Sequence, residues 1–196
     1  EDPDLGGTTV ISYDTNFAAQ EILLGLATFD PEMNELHEAA KRPHAQFPIH
    51  YDEGFDTLLP HLIELRKFAK IAHLKAIVLL ADHRPDEALR ELLLIIRFCE
   101  SFRDEPVLIS GLVHLAMLHQ ISGIVWEGIA RDAWKPEHLA TIGKRLRPVD
   151  FIASYQRAIR GERAFAVSTL WNYKDNLQAL YGGNEPNAGT IMFQLA

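Results

Sequence analysis

Twenty consecutive residues, from Val107 to Trp126, contain no Asp, Glu, Lys or Arg. Wound as a helix, such a stretch is about 30 Å long, enough to cross a hydrocarbon layer or to run through the middle of a small domain. It is therefore either a membrane span or the buried axis of a helical fold, and its polar members choose between the two. Ser110, His114, His119, Gln120 and Ser122 project around the whole helix circumference, so any orientation in a bilayer turns some of them to lipid. The sequence thus places this helix at the centre of a water-soluble helical domain, with no transmembrane segment within the chain. Gly111 and Gly123 are expected to let neighbouring backbones approach closely.

The rest of the chain agrees with a packed domain. Charged residues make up 23% of the 196 and hydrophobic ones 47%, the balance of a globular protein that can bury a core without staples. A formal charge of −8, with no stripe of Lys and Arg, opposes binding to phosphate backbones and excludes nucleic acid as a partner. The single Cys99 excludes an intrachain disulfide and a multi-cysteine zinc site. It sits among Ile95, Ile96, Phe98 and Phe102, where a buried, inert thiol is expected.

Prolines divide the chain into helices, because the first turn is where a missing amide hydrogen costs least. Pro31, Pro85, Pro106, Pro136 and Pro148 are read as such starts. The resulting expectation is an all-α fold of about seven helices in an irregular array of antiparallel hairpins. The helices cover residues 15–29, 31–41, 55–81, 85–102, 106–130, 136–146 and 148–181, the last bending near Gly161. Residues 1–14 and 182–196 read as irregular tails flanking one domain, 15–181, and residues 42–54, with two prolines and a glycine, as a long ordered loop. The apolar stripe of the third helix includes Leu58, Leu62, Leu65 and Phe68 and leaves Lys67, Lys70 and Lys75 in solvent. The helix at 85–102 has an apolar face wide enough to need neighbours on two sides.

Residues 62–81 and 85–102, joined at Pro85-Asp86-Glu87-Ala88-Leu89, resemble a tetratricopeptide helical hairpin, with Ala76, Leu79, Ala88 and Leu92 at its small or apolar places. No second copy occurs at a period of 34, so an irregular array is favoured over a regular solenoid. Three further segments resemble a group of uncharacterised bacterial helical proteins, many with a membrane anchor ahead of the helical region. They are Phe47-Pro48 with Gly54-Phe55 and Leu59-Pro60-His61-Leu62; then Glu105-Pro106 with Leu108-Ile109-Ser110; then Arg157-Ala158 with Arg160-Gly161-Glu162-Arg163-Ala164. The resemblance implies an all-helical fold and a cell-envelope location anchored upstream of residue 1, and it carries no activity.

Motifs for chemistry are sparse. His114 and His119, five residues apart, lie about 140° apart around a helix and cannot share a metal. His37-Glu38 lacks the second His of a zinc-protease helix, and the loop group His44, His50, Asp52 and Glu53, with His61, is the only mixed-ligand cluster; no metal and no cofactor is assigned. There is no Gly-x-Ser-x-Gly elbow and no phosphate loop. Arg157, Arg160, Glu162 and Arg163 form the densest charge group. Turned inward, the arginines could hold a carboxylate or phosphate; the plainer reading is an internal ion-pair network in which Glu162 bridges helices or pairs with Arg66.

Two functions from different classes follow. The first is a non-catalytic protein-interaction or scaffold domain, with Tyr155, Trp171, Tyr173 and Tyr181 as contact residues. The second is an enzyme or small-ligand domain, its site between the loop at 44–56 and the last helix and built from His50, Asp52, His61, Arg66, Arg160, Glu162 and Arg163. The sequence assigns no catalytic residue and leaves the partner and the oligomeric state open.

Overall fold

A computed structural model of the chain describes residues 15–180. Among these residues all regular structure is helical: α1 (Thr15–Leu26), α2 (Asp30–Ala40), α3 (Pro60–Ala81), α4 (Pro85–Phe102), α5 (Leu108–Ala130), α6 (Pro136–Leu146) and α7 (Phe151–Leu180). The chain is all-α. One 3-10 turn, Ala27–Phe29, carries α1 into α2 without a break, so the described residues form six helical rods, and a second 3-10 segment, Tyr51–Asp56, ends the expected loop before α3 and packs on α7. The expected terminal tails and Tyr181 lie outside the described residues.

Local chemistry explains the helix ends. Pro31, Pro60, Pro85 and Pro136 occupy the opening turns of their helices, where proline's fixed φ is already helical. The third helix starts at Pro60 rather than at residue 55. Gly54, with φ 62, breaks the backbone just before it, and Leu58, expected in the buried stripe, is 77% exposed. Pro106 and Pro148 precede their helices by a few residues instead of opening them. Asp150 caps α7, its Oδ1 accepting the Ala153 amide at 3.0 Å. Two interhelix turns close in the same way. His83 and Asp132 adopt left-handed φ of 59° and 50°, and the following amides, Arg84 N and Ala133 N, reach back to Leu79 O and Gly128 O.

The helices pack in two successions, α1–α3–α5–α7 and α2–α4–α6, with α4 touching α3 and α5 as well as α2 and α6. The centre of the fold is therefore α4, whose Leu92, Ile95, Ile96 and Phe102 are almost wholly enclosed. This corrects the expectation that α5 is the axis. α5 buries one face, Ser110, His114, Met117, Ile121, Ile124 and Gly128, against α3, α4 and α7. No described helix covers its other face, which exposes Ile109, Leu112, Leu115, Trp126 and Ile129. Lack of charge fixes what a helix can bury, whereas the number of neighbours fixes what it does bury.

α5 is also the one described helix long and apolar enough to cross a membrane by composition. Single helices of this kind are common in protein cores, and this one packs one face against α3, α4 and α7, with a third of its apolar window buried. It gives no clear transmembrane segment. The glycines also differ from expectation. Gly111 has no neighbour for an added Cβ, and Gly123 would meet only His73 Nε2 at 3.5 Å. The close approaches belong to Gly128, against the Trp134 ring, and Gly161, against the Pro106 carbonyl, so Gly161 sits inside an unbroken helix and serves packing rather than a bend. Lys75, expected in solvent, pairs with Asp30 at 2.7 Å.

Candidate functional site

The three sequence segments quoted above meet at the N-terminus of α5. Glu105, in the α4–α5 turn, accepts from His61 through Oε1 at 2.7 Å and from Ser110 Oγ through Oε2 at 2.6 Å. The His61 and Glu105 side chains are each only 8% exposed. Phe47 stacks on the His61 ring with centroids 4.2 Å apart, so the 41–50 loop is pinned over the start of α3. From α7, Glu162 Oε1 accepts the Leu108 amide at 2.8 Å. That amide is one of the N–H groups a helix start leaves without an intrahelical partner, and a carboxylate suits the positive helix end. Arg157 donates to Asp104 at 2.8 Å and to the Arg103 carbonyl. Four parts of the chain are thereby clasped at one junction.

Beside this junction lies a cleft of about 890 Å³ between residues 43–51 and the end of α4 with its following turn, lined by His44, Tyr51, Arg97, Glu100, Arg103 and Glu105 among others. Burial, helped by Glu105, raises the Tyr51 phenol above its ordinary pKa, which keeps it a neutral hydroxyl. Most of the charges here are engaged elsewhere. Arg97 donates to the Arg42 carbonyl at 2.8 Å, Glu100 takes a two-pronged bond from Arg145 at 2.9 and 2.7 Å, and both Glu105 oxygens are occupied.

Most of the residues proposed from sequence for a ligand site lie exposed, outside the junction. His50 and Asp52 are exposed on the loop, Arg66 is exposed on α3, and Arg160 and Arg163 point outward from α7. Only His61 and Glu162 turn into the junction, on separate partners; Glu162 bridges to α5 rather than to Arg66. The space imagined between the loop and α7 is filled. An added Cβ at Gly54 would strike Thr169 Oγ1, the Phe55 amide donates to that hydroxyl at 3.0 Å, and Phe165 meets Phe55 edge-on. Among the described residues no three His, Cys, Asp or Glu side chains are grouped to hold a metal.

Of the aromatic contact candidates, Tyr155 and Trp171 are 60% and 67% exposed. Trp171 carries Lys174 over its ring at 4.1 Å, and Tyr173 donates to Asp56 at 2.9 Å. The sequence reading missed Glu105 and Ser110 as partners of His61, and also the buried pair His37–Glu91 at 3.1 Å. No periodicity marks such pairs, since their members lie 44 and 54 residues apart.

Compared with known protein families, curated proteins and solved structures, the chain matches none. The site itself has to carry the functional reading.

Proposed function

We propose that this chain is a non-catalytic helical interaction domain. The observation that supports the reading is the contrast between its two kinds of surface. Polar side chains suited to chemistry hold helices together, whereas large apolar ones on one face of α5 are covered by no described helix: Leu112 at 55%, Leu115 at 54%, Trp126 at 71% and Ile129 at 51% exposure. Exposed apolar residues in that number on one helix face mark a surface that another macromolecule covers. The resemblance to envelope-anchored bacterial proteins adds the proposal that the domain works at a membrane surface.

The test is affinity capture with the full chain and with Leu112→Glu and Trp126→Glu. These sites are open to solvent, so the variants melt like the parent. The proposal expects macromolecular partners, a second copy included, to be held by the parent and lost from both variants. Binding that survives both substitutions places the function elsewhere, and the cleft beside Tyr51 then becomes the site to probe with small ligands.

A further inference from the structure

We infer that the uncovered face of α5 pairs with the same face of a second copy, the two helices antiparallel about a two-fold axis at His119. The inference rests on the interaction reading above and names its partner. A two-fold pairing of antiparallel helices centred on residue 119 sets residue 119 − k opposite residue 119 + k of the other copy. On that rule Leu112 faces Trp126, Leu115 faces Gly123 and His119 faces itself, while Ile109 and Ile129, each about 80° round the helix from His119, flank the contact on its two edges. Leu112 and Trp126 are each more than half exposed in the single chain. The Leu115–Gly123 pair joins a large side chain to a residue with none, which is the complementarity a close helix contact needs.

Gly123 is what lets the helices approach closely at the Leu115 pair. A mid-helix glycine costs about 1 kcal/mol relative to alanine. Within the chain a Cβ there would make only an ordinary contact with His73 at 3.5 Å. Nothing inside the described fold requires the gap, whereas Leu115 of a second copy fills it.

Charge and area point the same way. The helix carries no Asp, Glu, Lys or Arg from residue 107 to 126, and Glu127, at the edge of the face, is already paired with Arg131 at 2.6 Å, so the two helices meet without bare like charges opposed. The five exposed apolar residues leave on the order of 600 Å² open per chain, the most they can bury and of the same order as the ~800 Å² per partner of a standard stable interface.

The test uses the full chain at pH 8 with light scattering over a micromolar concentration series. The parent should show a mass twice 22.1 kDa. His119→Glu, which sets two acids against each other on the axis, and Gly123→Leu, which fills the gap, should each weaken dimerisation at least tenfold while melting as the monomer fold does. His119→Cys should form a disulfide-linked dimer on mild oxidation, because residue 119 alone meets itself. Ile109→Cys should not, since its two copies would lie about 30 Å apart along the helices.

A monomer at every concentration, a dimer indifferent to His119→Glu, or ready cross-linking through residue 109 overturns the pairing. If the chain is monomeric but holds a different protein or a phosphatidylcholine vesicle through α5, self-association fails and the interaction reading stands. A monomer whose α5 face binds nothing defeats both.

Discussion

Gly161→Ala is a small change whose outcome depends on the junction being built as described. The new methyl carbon would lie 2.6 Å from the Pro106 carbonyl carbon and 2.9 Å from Pro106 Cβ, with the carbonyl oxygen closer still. These are mostly backbone atoms, so no side chain can swing aside; either α7 lifts or the α4–α5 turn moves. Overpacking of this kind costs about 1–3 kcal/mol. Displacing Glu162 from the Leu108 amide forfeits a charge-assisted bond worth about 1.5–3 kcal/mol. Alanine's better helix propensity returns about 1 kcal/mol, leaving a net loss of about 1.5–5 kcal/mol.

Gly143→Ala in α6 is the control, because an added Cβ there meets nothing within 4 Å; it should gain about 0.5–1 kcal/mol. Urea and thermal denaturation followed by far-ultraviolet circular dichroism read both. At about 2–4 °C per kcal/mol, Gly161→Ala should melt roughly 3–20 °C below the parent and Gly143→Ala slightly above it. If the two alanines behave alike, α7 does not rest on Pro106 and the junction is wrongly assigned.

Two further outcomes follow from buried titratable groups. Burial, followed by the nearby Arg103, lowers the His114 pKa, so as pH falls below about 6.5 the unfolded chain takes up a proton that the folded chain refuses, and stability is lost; His114→Gln should flatten the fall in unfolding free energy between about pH 7.5 and 5.5, and equal slopes for parent and variant would refute this. Cys99 is pushed up to about 12, first by burial and then by Glu100. Its thiol should resist iodoacetamide at pH 8 until urea unfolds the chain, and fast labelling of the native protein would contradict its burial.

Much of the architecture could be read from the sequence because it depends on local rules. Prolines opening helices and apolar residues at helical spacing give the all-α class and most boundaries to within a few residues. α3 is the exception, because Leu58 extends its apolar pattern backwards and the backbone break at Gly54 has no effect on that pattern. The exposed face of α5 was hidden for a different reason: whether Leu112 or Trp126 is covered depends on where the other helices lie. The polar junction was the least legible part. His61, Glu105, Ser110 and Glu162 look individually like scattered surface residues or a diffuse site. Their roles come from contacts such as His61–Glu105, which closes a loop of 44 residues, and Glu162–Leu108, which closes one of 54.

The central claim is that these polar side chains clasp the helices together and are not a ligand site. Glu105→Ala tests it directly through the unfolding free energy in urea. Removing the carboxylate leaves the enclosed His61 ring and the Ser110 hydroxyl without their acceptor, at about 1–3 kcal/mol for each stranded donor. A clasp therefore predicts a loss of about 2–6 kcal/mol with no ligand present. A variant as stable as the parent, or more stable, as expected when a charge held ready for a ligand is removed, would contradict it.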